Sequence, residues 1–364
     1  MLKNNCRYFY EISFKASSNL KHEKAQDMID NMTRIFVIDP KKPDHCIIEE
    51  IAQVILKGGL VAYPTDTVYG LGANIFNQTA VLRVFKVKNR PLDNPLPVLL
   101  DDMNRVDDLV LEFPIEAEIL MKKFWPGPLT IILKKSRKIP NIVTGGKHKV
   151  GLRVPAHNVA INLIKLSDVP LTGPSANISG EVSPLTADDV KKELFGKIEV
   201  IIDSGPAYLG IESTVVDLTV HPPLVIREGM ITIEELEKIL RHPVKSLLEP
   251  PKKSVNAKAI LIGRNSETAK IIESLLKDEI KKQRRVLIAA FNEDLEKIST
   301  KSAKVIKIGS LSDPFSLARN IYRILRFTKS ENINSLLITA SGYKKVDRVV
   351  LKKLEKFCRE VVCQ

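Results

Sequence analysis

The chain has 364 residues, 44% of them hydrophobic and 27% charged, which is enough for two hydrophobic cores in an ordinary globular composition. No apolar run reaches the roughly 20 residues of a membrane span, no secretory h-region is present, and the four cysteines and six histidines lack CxxC, HExxH or other metal-ligand spacing. A membrane protein, a disulfide scaffold and a protein-held zinc are therefore set aside, and reduced thiols in the cytoplasm are expected. The formal net charge of +13 is unevenly placed: residues 1–251 carry 31 basic and 31 acidic side chains, residues 252–364 carry 25 and 12.

Residues 1–33 read as a leader outside the fold. They sustain no period, Met32 offers a second start, and Glu11, Glu23, Asp27 and Asp30 with sparse arginine argue against a transit peptide. A first domain is expected over 34–240. IIEEIAQVILKGG has apolar residues at helical spacing and stops at Gly58. LVAYPTDT reads as a buried strand breaking into a turn. VYGLG and a short helix follow, and the helix delivers Lys88 and Arg90 just ahead of Pro91. The proline predicts an extended backbone at Arg90, which would aim both cations the same way.

NPLPVLL is a strand, Glu116–Phe124 a helix ended by WPGP, and LTIILKK a strand. VTGGKHKVGLRVPAH is a glycine loop feeding a strand that stops at Pro155. VAINLIKLS is a helix, and VPLTGPSANISG a strand opening into a loop of small and hydroxyl residues. TADDVKKELF is a capped helix, IEVIIDSG a strand, and STVVDLTV and PLVIREG are β-rich runs. Thr232 and Glu235 form a capping box for TIEELEKIL. The later strands come without helices between them, which favours a mixed-sheet or α+β domain over a doubly wound one.

Residues 241–258, with Pro243, Pro250 and Pro251 and no period, read as a linker. Beyond it, over 259–364, the runs KAILIG, RRVLIAAF, KVIKIG and NSLLITA alternate with helices at Glu267–Lys282, Pro314–Lys329 and Lys345–Cys358. This predicts a small parallel-sheet, Rossmann-like domain. Its first strand ends in IGRNS rather than GxGxxG, so dinucleotide binding is not indicated. The basic excess of this part suits either an acidic partner, RNA being the obvious one, or a lysine-rich surface serving solubility.

Neither a Walker A sequence nor a GxSxG elbow occurs. What accumulates in loops at strand ends is cations and small polar residues: Thr65, Thr67, Lys88, Arg90, Thr144, Arg153, Ser175, Asn177, Ser183, Ser213 and Arg227. A Lys-x-Arg pair suits a polyphosphate, Lys as a point charge and Arg as a fork, and competes with a solvated basic turn. Each hydroxyl competes with a cap on its own backbone. Arg153 and Arg227 lie late in apolar strands, where arginine normally needs an anionic partner.

The blocks PTDTVYGLG, KNRPLDNPLPVL, FWPGPLTIIL, VGLRVPAH, GPSANISG, IESTVVDLT and VIREG, in that order over about residues 35–240, resemble the YrdC-like domain of threonylcarbamoyl-AMP synthases. IGSLSDPFSLARNIYRIL and the closing helix resemble the second domain of the longer members. The resemblance implies an α/β fold: a twisted mixed-sheet domain with a deep basic cavity, plus the small Rossmann-like C-terminal domain. It also implies a reaction in which L-threonine, bicarbonate and ATP give threonylcarbamoyl-AMP and pyrophosphate. A downstream tRNA threonylcarbamoyl-transferase complex would then move the group onto an adenosine beside the anticodon.

In that scheme Lys88 and Arg90 clamp the triphosphate with Mg²⁺, Arg227 adds a phosphate contact, and Thr144, Ser175, Asn177 and Ser183 complete the ATP side. Thr65, Thr67, Arg153 and Ser213 hold threonine, with Arg153 on its carboxylate. Two departures stand out: Leu99 occupies a position where many members carry histidine, and nothing in 241–258 matches the SPG…HYAP stretch of two-domain members. The rival readings are a carbamoyl-phosphate-using domain that forms carbamoyl-AMP, and a non-catalytic RNA-binding protein.

Overall fold

In the computed structural model, residues 33–247, 254–300, 302–313 and 315–364 are described; the leader up to residue 32 and the linker core 248–253 lie outside them. The helix His45–Leu56 shows how local signals set the frame. Asp44 caps it by accepting from the Ile47 N–H at 3.2 Å, and Ile48, Ile51, Ala52 and Ile55 form its buried side. Gly58, at φ +86°, then turns the chain into the first buried strand.

Two sheets build the first domain. One runs Arg34–Val37, Val200–Asp203, Val61–Tyr63, Gly70–Gly72, with only the last pair antiparallel. The other has seven strands in the order Lys245–Ser246, Leu224–Arg227, Thr214–Asp217, Leu129–Lys134, Lys149–Arg153, Val98–Leu99, Leu171–Thr172, parallel and antiparallel pairs mixed. Alternate residues of the first sheet face different cores. Val61, Tyr63, Val200 and Ile202 pack with the helices His45–Leu56 and Asn158–Ser167, while Ala62 and Ile201 join a larger cluster that includes the seven-stranded sheet. The expected mixed sheet is present.

The C-terminal sheet is wholly parallel, in the order Lys304–Lys307, Val286–Ala290, Ser335–Thr339, Val255–Ile262, Cys358–Cys363. Its two faces separate by alternation. Leu287 and Ala289 join the core under the helices Ser316–Ser330 and Lys344–Phe357, while Val286, Ile288 and Ala290 join the one under Thr268–Lys281. That three-layer arrangement is the Rossmann-like domain expected.

Two local readings change. The last helix ends at Phe357 and the chain continues as a fifth strand, Cys358–Cys363, whose single Val-Val step lies at the sheet edge and left little pattern. The 241–258 stretch is shorter as a connection: Lys245–Ser246 pairs with Leu224–Val225, and Val255–Lys258 already belongs to a strand. A two-residue edge strand carries no period to read. Among the described residues no helix is long and apolar enough to cross a membrane.

The two domains share one apolar cluster, in which Val68, Val182, Leu185, Ala207, Ile211 and Met230 meet Leu317, Ile321, Val350 and Phe357. The backbones of the two domains come close at Gly210, at φ +74°. A Cβ there would stand 2.4 Å from the Arg319 Cα. Its N–H also donates to the Thr67 carbonyl at 3.1 Å. Gly205 shares the positive φ but faces open space. Gly210→Ala is therefore expected to lower the melting temperature by a few degrees, about 1 kcal/mol or more, and by more than Gly205→Ala does. Equal losses in thermal scans would show that the close approach is not what constrains Gly210.

Candidate active site

The turn after Val61–Tyr63 is built by its own hydroxyls. Thr65 Oγ1 donates to the Val68 carbonyl at 2.6 Å and lies 3.0 Å from Thr67 Oγ1. Thr65 therefore serves as a backbone cap as well as a wall of the cavity described below. Arg153, at the end of Lys149–Arg153 and 5% exposed, crosses to this turn. Its Nη1 donates to Thr67 Oγ1 at 2.9 Å, its Nε to the Gly127 carbonyl at 2.9 Å, and its Nη2 pairs with Asp66. The anionic partner expected for Arg153 is thus internal. Three of the five guanidinium N–H groups have protein partners.

Lys88 and Arg90 come together by a route other than the extended one. Lys88 is the last residue of the helix Gln78–Lys88, Asn89 is left-handed at φ 49°, and the Arg90 N–H closes back on the Phe85 carbonyl at 2.9 Å. With Lys88 helical and Asn89 left-handed, a helix-ending reversal at asparagine sets their relative geometry. The Lys88 ammonium is buried and donates to the carbonyls of Ser175 and, at 2.6 Å, Asn177. It fastens the small-residue loop, within which Ser175 Oγ donates to Asn177 Oδ1 at 2.6 Å. Arg90 is half-buried and leans on Asn94 and on the Pro95 carbonyl at 2.7 Å.

On the same seven-stranded sheet as Arg153, Arg227 donates from Nε to the Ser213 carbonyl at 3.0 Å and from Nη2 to Ser213 Oγ at 3.1 Å. Ser213 Oγ also lies 2.8 Å from Thr130 Oγ1. Ser183 Oγ donates to Glu212 Oε1 at 2.7 Å. Neither Arg90 nor Arg227 forms an ion pair with a carboxylate among the described residues.

These groups face one cavity of about 730 Å³, which brings together ten of the eleven expected residues. The exception is Thr144. It is buried in its loop, with its hydroxyl donating to the Lys147 carbonyl at 2.8 Å and to the Asn141 carbonyl at 3.2 Å. The competing reading, a hydroxyl that caps its own turn, holds there. Leu99 lines the cavity and packs over Gly173, where a Cβ would fall 2.4 Å from the Leu99 Cγ. At Leu99 the cavity wall is apolar.

The sequence reading missed Lys147, Lys149, Glu212, Lys353, Lys356 and Phe357, all of which line the same cavity. Strand alternation carried a signal for one of them: Lys149, Gly151 and Arg153 share a face. Lys353, Lys356 and Phe357 come from the C-terminal domain, and no local pattern points them at a distant cavity. In all, eight cations and two carboxylates line the space. Burial, then the Arg90 charge, lower the Lys88 ammonium to about 7 against an opposing pull from Glu193, and burial with Arg227 lowers Arg90 to about 10.

The sequence profile of the Sua5/YciO/YrdC family, described as "Telomere recombination", matches residues 53–229. The threonylcarbamoyl-AMP synthase of Pyrococcus abyssi is 38% identical over 326 residues, 84% of this chain and 92% of that one. The enzyme of the same name from Bacillus subtilis is 41% identical over 212 residues, 57% of this chain and 61% of its own. The crystal structure of P. abyssi Sua5 complexed with L-threonine matches with a TM-score of 0.77 at 33% identity, over 91% of this chain and 100% of that one.

Lys88 leaves a pH signature on the free protein. Its ammonium titrates near 7 when folded against an ordinary 10.5, so between those values the unfolded chain binds the extra proton. Stability from this group is then fullest above 10.5 and is lost as pH falls towards 7. The slope is at most about 1.4 kcal/mol per pH unit. Urea unfolding at pH 7.5 and 9.5 should show wild type gaining stability relative to Lys88→Met at the higher pH; a constant difference would show that Lys88 keeps its proton throughout.

Proposed function

The chain belongs to the threonylcarbamoyl-AMP synthase family, and from that premise we propose how its cavity joins L-threonine, bicarbonate and ATP into threonylcarbamoyl-AMP and pyrophosphate. The observation that carries the reading is the convergence of ten polar and cationic side chains, gathered from two strands of the seven-stranded sheet, one helix end and four loops, on one space.

The threonine amine adds to carbon dioxide supplied by bicarbonate, forming an N–C bond and releasing a proton. The resulting carbamate oxygen attacks the α-phosphorus of ATP in line. The bond to the β-phosphate breaks, and pyrophosphate departs with the electron pair. Such a displacement needs alignment and charge neutralisation more than a dedicated acid or base. Arg90 and Arg227, braced by carbonyls and a hydroxyl instead of carboxylates, keep their full charge for phosphate oxygens. Lys88 adds charge and fixes the Ser175–Asn177 loop against the nucleotide.

Arg153, with two N–H groups beyond its protein contacts, meets the threonine carboxylate beside Thr65, Thr67 and Ser213. Ser183 lies on the ATP side next to Glu212, while Thr144 acts indirectly by bracing the loop that carries Lys147. Among the described residues no three metal-ligating side chains cluster; in this reading Mg²⁺ arrives on the ATP phosphates. Transfer to tRNA by a separate complex consumes the product, which accords with a cytoplasmic setting. Direct RNA contact by the basic C-terminal domain is a separate proposal, checked by salt-dependent RNA affinity.

Incubated with ATP, Mg²⁺ and bicarbonate, the protein should release pyrophosphate only when L-threonine is present. Serine, lacking one methyl group, should be used about 10–200-fold less efficiently. Arg90→Ala and Arg227→Ala are each expected to lower kcat/KM for ATP by an amount equivalent to about 2–5 kcal/mol. Unchanged pyrophosphate release by both variants would remove the phosphate assignment.

A further inference from the structure

The C-terminal domain reaches the cavity through one helix face, Lys353, Lys356 and Phe357 at i, i+3 and i+4 of Lys344–Phe357. Facing them is Glu212, whose side chain is 16% exposed. Its Oε2 accepts from Lys353 Nζ at 2.8 Å and from the Tyr322 hydroxyl, and its Oε1 from Ser183 Oγ at 2.7 Å. Burial works to neutralise this carboxyl. The charges of Lys353 and Arg227, with the hydrogen bonds from Lys353 and Tyr322, overcome that and hold it well below the usual carboxylate range. Glu212 is thus a fixed negative charge in the wall of a cavity that must admit a triphosphate. It is also the neighbour in sequence of Ser213, which Arg227 uses as its brace.

Two cations compete for Glu212. If Lys353 did not hold it, the attraction already present between Glu212 and Arg227 would draw the guanidinium out of the phosphate position, and the bare carboxylate would repel the nucleotide. We propose that Lys353 of the C-terminal domain is a positioning residue for ATP: by neutralising Glu212 it leaves Arg227 available to the phosphates, so that the second domain completes the binding site of the first. The inference rests on the triphosphate occupying this end of the cavity. It gives the shared apolar interface a chemical consequence, because the domain must dock for the charge of Glu212 to be cancelled.

Steady-state kinetics on the full chain tests it, with threonine-dependent pyrophosphate release by wild type as the control. If that release is absent the functional reading itself fails; if it is present, only the Lys353–Glu212 pair is on trial. Lys353→Met should raise the KM for ATP by about tenfold or more while moving the KM for L-threonine less than about twofold. Adding Glu212→Gln to Lys353→Met removes the charge that needed cancelling and should restore the ATP KM to within about threefold of wild type. Should Lys353→Met alone fail to fold with an unpaired carboxylate buried, the double variant, which buries no unpaired charge, is compared directly with wild type by the same criterion. An equal rise in both KM values, or a double variant whose ATP KM stays tenfold high, would reduce the pair to a docking contact and overturn the proposal.

Discussion

One guanidinium holds the two sheets of the first domain in register across the cavity. Arg153 rises from the seven-stranded sheet, and its Nη groups grasp Thr67 and Asp66 in the turn that leaves the four-stranded sheet. Asp66 in turn accepts from the Ala156 N–H at 3.0 Å, just beyond the same strand. A buried pair of this kind is a weak source of stability, since desolvating both charges offsets most of their attraction, but it penalises every arrangement that separates them. The turn therefore has one place to sit. From it the Asp66 and Thr67 carbonyls accept the N–H groups of Leu209 and Gly210, and Gly210 touches the backbone of the helix Ser316–Ser330. The Thr65–Thr67 turn, the cavity and the C-terminal domain are thus placed relative to one another through a few consecutive contacts.

What the chain disclosed before folding divides along the range of the interaction. Local signals were readable. Gly58 stops its helix, and the Thr232–Glu235 capping box closes with both reciprocal bonds formed. The alternation of the C-terminal strands also gave the parallel sheet. The blocks rich in cations and hydroxyls were readable as a set because each carries its own motif. The path by which two of them meet was less accessible. Asn89 adopts a left-handed conformation that a Lys-x-Arg-Pro string does not announce, since asparagine enters that region only where a helix end or turn demands it. Thr144 shows the opposite limit: a threonine flanking a glycine loop satisfies its own turn as readily as a ligand. The Lys353–Glu212 contact joins residues 141 apart in sequence and has no local trace.

Six of the eight cations lining the cavity fall into two groups according to what braces them, and the division suits the proposed chemistry. Arg153, Lys149 and Lys353 are each matched by a carboxylate: Asp66, Asp217 and Glu212. Lys88, Arg90 and Arg227 are instead held by backbone carbonyls, an amide side chain or a hydroxyl. A dipole can orient a buried cation without cancelling its charge, whereas a carboxylate does both. Neutralised pairs can stand beside a zwitterionic amino acid without overcharging it. In the proposed reaction the uncancelled cations supply positive potential where the triphosphate sits and where negative charge gathers on the departing pyrophosphate. Because the field exists before the nucleotide arrives, little reorganisation is needed at the moment of bond exchange. The desolvation that lowers Lys88 and Arg90 is the cost of that readiness, and under the proposed assignment phosphate supplies the missing counter-charge.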